Sequence, residues 1–546
     1  MDNIKTFLIF GILVVSLLLW QSWQNDYAQP TTVSNQQPST TQSTDNAEKG
    51  LDELPGLPLQ TIQGEPLAQA VPDEVNYQSV NVKTDVIDVM IDPRGADIQQ
   101  LALLDYPVDA KDPDIPVQFL DNQAGRFFIV QSGLKSDSAA PTHYEAYRSE
   151  QDSYTLADGE EQLTVPFYWQ SEDGLKVTKT YRFSRNSYLV DVEYQIENQR
   201  GERFIAYPYV QFNRQRPSDE SMLIYTYTGA VFSTPGNEYE KIDFDDLESS
   251  AFDKSASMGW AAMIQHYFVA AMVPQENERS VDFYGRAFSG GKYAAGMKLT
   301  TMQVAAGESN TVNYQLYLGP KEHQRLEPVA KHLDLAVDYG ILTIISQPLF
   351  MIMEWIYQLT NNWGWSIVFL TILIKLVFYK LSASSYRSMA GMRKLAPKLT
   401  SLKERYGDDK QQFQKAMIDL YKTEKINPLG GCLPILVQMP VFLAFYWVLV
   451  ESVELRQADF MLWINDLTAI DPYFVLPLIF GVSMFIQQKL NPPPQDPTQA
   501  MVMKAFPIVF TVFFAFFPAG LVLYWVVNNI ISIAQQWYIT KQLGAL

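Results

Sequence analysis

Residues 363–379, WGWSIVFLTILIKLVFY, read as a membrane-crossing helix with a lysine inside it. At 1.5 Å per residue the run is about 25 Å long, and Lys375 lies four residues from its end. A charge at that depth costs about 2.5–3.5 kcal/mol on insertion scales. Position alone leaves two readings open. The side chain either snorkels to the nearer surface or faces water inside a bundle. Helical spacing favours the second, because Thr371, Lys375, Tyr379 and Ser382 recur at i, i+4, i+8 and i+11, one polar stripe.

Working outward, further apolar runs lie at 433–450, 472–488, 506–517 and 520–538. The run 506–517 has only 12 residues, about 18 Å as a helix, well short of a hydrocarbon core of about 30 Å. Segment 341–362 mixes apolar residues with Glu354 and Gln358, and reads as an interfacial amphipathic stretch leading into a span. Near the start, residues 4–20, IKTFLIFGILVVSLLLW, form another apolar run with no small-residue cleavage site behind it. That points to a retained helix rather than a cleaved signal.

Charge sets the orientation. The loop 380–425 has eleven Lys and Arg against five acids, and so belongs in the cytoplasm. The loop 451–471 has five acids and Arg456, and so belongs outside. Six spans follow, with both termini cytoplasmic. The polar residues of the spans then crowd the cytoplasmic halves: Gln438, Ser483 and Gln487, and Asn528, Asn529 and Ser532, with Thr511 near mid-span. Singly, each reads as helix–helix glue. Together they outline a water-accessible groove open to the cytoplasm and sealed outside. Ser366, near the outer end of its run, is the exception.

Between about 75 and 320 the period changes to two. In YLVDVEYQI (188–196), Tyr188, Val190, Val192, Tyr194 and Ile196 share one face, and Asp191, Glu193 and Gln195 the other. Residues 312–318 alternate similarly. Short alternating strands between Gly, Pro, Asn and Asp clusters predict a large antiparallel β-sandwich outside the membrane. The expected divisions are an anchor at 1–24, a disordered linker at 25–60, the sandwich at 61–330 and a helical core at 331–546. Within that core, periodicity predicts a cytoplasmic helical hairpin at 383–425, turning at Gly407 and Asp408. Its Arg393, Lys394, Lys398 and Lys403 form a basic face. That face is either a topology signal or a dock for anionic partners and lipid head groups.

Composition excludes several classes. A net charge of -19 argues against nucleic-acid recognition. The single Cys432 forms no intrachain disulfide and reads as a buried, inert thiol. His143, His266, His323 and His332 make no metal-spaced pair with Cys or Glu. There is no nucleotide-binding glycine loop, and no carboxylate pair placed for glycoside chemistry. No catalytic residue, metal or cofactor is expected. Two alternatives stay open on the residues alone: a secondary transporter, although no internal repeat is visible, and an anchored envelope protein whose β-domain binds glycan.

Three stretches are long and specific: NPLGGCLPILVQMPVFLAFY (427–446), VELRQADFMLWINDL (453–467) and FPAGLVLYWVVNN (517–529). They resemble the YidC/Oxa family of membrane-protein insertases, and the whole chain resembles its Gram-negative form. The resemblance implies an inner-membrane insertase and chaperone with a periplasmic β-domain. It would act on nascent inner-membrane proteins, alone or with the Sec translocon, through a groove open to cytoplasm and lipid. It matches Lys375 to the groove's positive residue, which is Arg in many members. It also matches Tyr524 and Trp525 to an aromatic pair associated with client contact. Some relatives bind ribosomes through a long basic tail; here the chain ends KQLGAL, so only weak ribosome contact through cytoplasmic loops is expected.

Overall fold

The structure is a computed structural model, described for residues 78–217, 226–275, 280–406, 409–424, 426, 433–491 and 497–544. The expected anchor at 1–24, the linker at 25–60, the first part of 61–330, Cys432 and the turn at 407–408 lie outside the described residues.

Alternating sequence becomes two packed sheets, one of eleven strands and one of nine. Strand Leu189–Asn198 sits inside the nine-stranded sheet. It pairs antiparallel with Ser309–Pro320, Leu189 opposite Tyr317, and with Leu175–Ser184, Val190 opposite Phe183. Its register sends Val190, Val192, Tyr194 and Ile196 into the core and leaves Gln195 exposed, as the period of two requires. Pairing among the described strands is antiparallel apart from one contact, where Val80–Lys83 runs parallel to Ser153–Thr155.

The sandwich interior is not wholly apolar. Lys179, fully buried, donates to the carbonyls of Gly95 (2.8 Å) and Ala96 (2.9 Å), and lies 3.7 Å from Asp97 Oδ1. Ser132 N–H donates to the same carboxylate oxygen at 3.0 Å. Burial pushes the Asp97 carboxyl up and the Lys179 ammonium down, and each charge opposes the other's shift. Gly95 permits the tight turn that brings these carbonyls inward. Its φ is +69°, and a Cβ there would meet Asp97 and the His143 backbone at 2.7 Å. His143 is buried alongside, its Nδ1 2.7 Å from the Tyr209 hydroxyl.

The sandwich joins the helices through buried polar contacts. Lys321, just past the last strand, pairs with Glu451 at 3.0 Å, and both side chains are at most 3% exposed. His266 Nε2 donates to the Val450 carbonyl at 2.8 Å, and Arg456 donates to the Pro107 carbonyl at 2.6 Å.

Nine helices matter for the site: α1 (Thr343–Thr360), α2 (Trp363–Val377), α3 (Tyr379–Lys394), α4 (Ala396–Tyr406), α5 (Lys410–Thr423), α6 (Leu433–Glu451), α7 (Val475–Leu490), α8 (Pro497–Phe514) and α9 (Ala519–Gln542). Among the described residues, Gly340–Thr360 is the one unbroken helix long and apolar enough to cross a membrane by length and composition. This is the stretch expected to be interfacial. α2 and α3 pass together, but the axis bends by 68° between them. Val437–Glu451, Val475–Leu490 and Ala500–Phe514 are shorter apolar helices. α9 has 24 residues, but Asn528, Asn529, Gln535 and Gln536 interrupt its apolar character. Helix length and hydropathy therefore do not by themselves yield six spans. Nor is the segment expected at 506–517 a 12-residue helix. α8 starts at Pro497 and spans 18 residues, because Thr498, Gln499 and Lys504 extend the helix without extending the apolar run.

His143 gives the sandwich a pH-dependent stability. Burial, then the Lys179 and Lys135 cations, lower its pKa from 6.5 to about 3. The unfolded chain therefore binds the extra proton between those values. Stability contributed by the neutral ring is complete above pH 6.5 and is lost as pH falls towards 3. The slope is at most about 1.4 kcal/mol per pH unit. His143→Gln is expected to reduce the acid loss of melting temperature of the full chain. Parallel pH curves for the two proteins would exclude this role.

Candidate functional site

Lys375 points into the bundle and is only 7% exposed. Its ammonium donates to Ser532 Oγ on α9 at 2.8 Å and lies 3.4 Å from Gln438 Oε1 on α6. Gln438 Nε2 in turn donates to Asn528 Oδ1 at 2.7 Å, and Ser532 Oγ donates to the Asn528 carbonyl at 2.7 Å. Four of the sequence-derived residues thus form one connected network across three helices. α3 also packs against α9. No carboxylate lies within ion-pair distance of Lys375 among the described residues.

A second pair flanks the first. Asn529, next to Asn528, donates to Ser483 Oγ on α7 at 3.2 Å. Lower on α9, Gln536 donates to Asn491 at 3.0 Å, and Gln535 donates to the Tyr379 carbonyl at 3.2 Å. α9 therefore carries a buried polar ladder that touches α2, α3, α6 and α7 or the turns at their ends.

Other sequence-derived residues sit differently. Thr371 is buried at 1% exposure, but its hydroxyl returns to the Ile367 carbonyl of its own helix at 2.7 Å. Tyr379 leaves the stripe: the bend at Phe378 places it at the start of α3, 45% exposed. The i+8 and i+11 spacing assumed a straight helix, and neither Pro nor Gly marks this break. Thr511 bonds the Pro507 carbonyl at 2.6 Å and presses on Gly481 of α7. Gln487 is half-buried, and it is Gln488 that reaches across to the Met503 carbonyl of α8. Tyr524 is buried against Phe445, ring centroids 4.8 Å apart, and Trp525 packs against Phe442 (4.7 Å) and Phe514 (5.7 Å). Both aromatics are part of the bundle's packing.

Of the hairpin expected at 383–425, α4 and α5 pack together as two helices, whereas 383–394, with Arg393 and Lys394, belongs to the end of α3. Lys394, Lys398 and Lys403 are exposed and Arg393 is half-buried. Lys398 pairs with Glu424 at 2.5 Å across the hairpin.

The opposite end of the bundle is tied shut. Asp471 accepts from Trp463 Nε1 (3.0 Å), Tyr473 N–H (3.0 Å) and Leu476 N–H (2.7 Å), closing the start of α7. Asp466 Oδ1 accepts from Thr468 N–H and hydroxyl, both at 2.7 Å. The Leu467 and Ala469 carbonyls hold the N–H groups of Gly520 and Ala519 at the start of α9, at 2.8 and 2.7 Å. Sequence reading counted these acids as charge alone. The Asp-Pro at 471–472 before an apolar run was a cap signal that could have revealed one of them.

Comparison with known proteins settles the family. The family described as the YidC periplasmic domain matches residues 79–352, and that described as the 60Kd inner membrane protein matches 355–545. The membrane protein insertase YidC of Nitrosococcus oceani is 48% identical, the match covering all of this chain and 99% of that protein. The YidC of Methylococcus capsulatus is also 48% identical with the same coverage. The chain belongs to the YidC family of membrane protein insertases. A crystal structure of an active YidC insertase with its first transmembrane domain resolved matches at a TM-score of 0.41 and 18% identity, over 85% of this chain and 93% of that one. YidC membership makes the chain an inner-membrane insertase and chaperone rather than an enzyme, with membrane-protein clients and a lipid environment. It sets aside the transporter and glycan-binding alternatives.

Gly481 sets how closely α7 and α8 approach in this YidC bundle. A Cβ there would lie 2.0 Å from Thr511 Oγ1. Gly481→Ala should cost about 1–3 kcal/mol of overpacking, read as a lower melting temperature in detergent. Adding Thr511→Ala should recover part of the loss. A simple sum of the two single effects would exclude the contact.

Proposed function

We propose that Lys375, with Gln438, Asn528 and Ser532, forms the charged floor of a hydrophilic groove that admits the polar outer segment of a client from the cytoplasm. What carries the reading is a buried ammonium held by neutral partners with no carboxylate beside it among the described residues. Such a site offers an incoming acidic side chain the counter-charge it would lack in lipid. Thr371, Ser483, Gln487 and Thr511 extend the polar lining, and Tyr379 marks the cytoplasmic mouth. Tyr524 and Trp525 act by holding α6, α7 and α8 around the groove, so their effect on clients is indirect.

The topology that fits is six spans with both termini cytoplasmic and the sandwich periplasmic. It comprises the anchor within 1–24, α2, α6, α7, α8 and α9, with α1 lying at the outer interface and the helical core beginning near 331. Supporting it are eleven cations in the loop 380–425 and the acid-rich outer loop 451–471. Clients move without nucleotide, because burying a 20-residue apolar segment supplies several kcal/mol on insertion scales, about 0.3–0.6 for each Leu, Ile, Phe or Val. The chain acts on these clients alone or beside the Sec translocon. The hairpin's Arg393, Lys394, Lys398 and Lys403 give weak ribosome contact and receive emerging segments.

Lys375→Arg should retain insertion in reconstituted vesicles. Lys375→Met should lower it by about tenfold, the factor that about 1.4 kcal/mol represents, most for clients with acidic outer segments. Lys375→Glu should be worse. Normal insertion by Lys375→Met would reduce this lysine to a packing contact of the bundle.

Neutralising Arg393, Lys394, Lys398 and Lys403 together should weaken ribosome co-sedimentation and slow insertion, increasingly so at low salt. Unchanged rates with topology intact would leave the hairpin a topology signal.

A further inference from the structure

A cavity of about 200 Å³ with four charged residues in its lining lies where the sandwich meets the outer end of α6, away from the Lys375 network. Lys241 and Asp243 line it from the sandwich, Asp338 and Gly340 from the connection into α1, and Trp447 and Glu451 from α6. Its volume equals that of about six or seven waters, which suits a headgroup and is too small for a peptide segment.

The charges are paired incompletely. Glu451 is already engaged by Lys321 at 3.0 Å. Lys241 pairs with Asp338 and lies 5.0 Å from the Tyr227 ring centroid. Asp338 Oδ1 also accepts the Gly340 N–H at 3.0 Å. Three carboxylates thus face two lysines. Asp243 carries the surplus charge: it stands in no ion pair among the described residues, its carboxylate serving only as the N-cap of the helix Phe244–Ser249, and burial with the neighbouring Asp246 and Asp245 raises its pKa against the opposing pull of Lys241 and Arg216. Lys241 and Asp243 stand two residues apart, so the alternation of an extended chain presents a cation and an anion on one face.

What lies beside the pocket is apolar. Ile341 and Ile344, directly after Gly340, are 99% and 83% exposed. Trp447, near the outer end of α6, is half-buried. A ligand here meets fixed charges of both signs at one end and a hydrocarbon-facing surface at the other.

We propose that this pocket seats the zwitterionic headgroup of an outer-leaflet aminophospholipid, its ammonium between Asp243 and Asp338 and its phosphate on Lys241. The inference rests on the proposed topology only for naming the leaflet. A primary ammonium donates hydrogen bonds to carboxylates. A trimethylated choline cannot, and a glycerol headgroup brings no cation to the surplus acid.

The test uses the full chain in mild detergent with an equal mixture of phosphatidylethanolamine, phosphatidylcholine and phosphatidylglycerol of matched acyl chains, with retained lipid read by native mass spectrometry. The wild type should retain phosphatidylethanolamine about tenfold over the other two, the factor for one charge-assisted hydrogen bond. Asp243→Asn should erase that preference, and Asp243→Lys should shift it to phosphatidylglycerol. Asparagine keeps the cap that Asp243 gives the helix Phe244–Ser249, so an unchanged melting temperature verifies that variant's folding, whereas lysine gives up the cap and a modest fall is expected there. Equal retention of the three lipids by the wild type would overturn the proposal, as would an undiminished ethanolamine preference in Asp243→Asn. Lipid retention in detergent does not depend on orientation. Cysteine accessibility from either side of the membrane tests the topology separately.

Discussion

A lysine ammonium buried among neutral side chains is the constraint around which the bundle is arranged. Removing such a charge from water is costly, and its hydrogen bonds must offset the loss. Lys375 on α2 meets this requirement only if α6 brings Gln438 and α9 brings Ser532 to it at once. Asn528 then fixes Gln438. Close approach of three helices at this point is therefore a condition for burying the charge, and apolar packing beside it, Tyr524 on Phe445 and Trp525 on Phe442, holds them there.

The two ends of the bundle differ for an equally local reason. At the outer end, carboxylates are spent on backbone: Asp471 and Asp466 each take several N–H or hydroxyl donors, and the loop's own carbonyls cap α9. Groups satisfied in this way have little left for a visiting chain. The Lys321–Glu451 pair continues the closure into the sandwich, because breaking either partner would strand a buried charge. At the inner end the polar groups are side chains satisfied by one another. They can exchange partners with less loss than a backbone cap can.

The sequence disclosed this architecture unevenly. Period-two alternation gave the sandwich and even the inward face of 188–196, because one face of each strand must be apolar. Lys375, Gln438, Asn528 and Ser532 were legible as a set because buried polar residues are rare in apolar runs. The bend at Phe378 was not, since no Pro or Gly announces it, and so Tyr379 was put on the wrong side of the stripe. The polar start of α8 was lost because hydropathy bounds the apolar run and not the helix. The lateral roles of Thr371 and Thr511, each bonded to its own helix, depend on rotamers that spacing does not encode.

The direction of every hydrogen bond around Lys375 follows from its charge. An ammonium only donates, so Gln438 must turn Oε1 towards it and Nε2 away, and Nε2 then needs the acceptor that Asn528 Oδ1 provides. Ser532 accepts from the lysine and donates its own hydroxyl hydrogen bond to the Asn528 carbonyl. An apolar side chain at 375 would remove that donor from the half-buried Gln438 Oε1 and from the buried Ser532 Oγ, a penalty of about 1–3 kcal/mol at the buried hydroxyl. The same chain of dependence shows why lysine suits the position. It has three donors, two of them committed to α6 and α9, and a flexible stem that can carry the third to an incoming acceptor without disturbing the first two. Arginine would keep the charge but present a planar fork. The neutral partners would then have to move to meet it, or leave more of its donors facing the open side of the bundle.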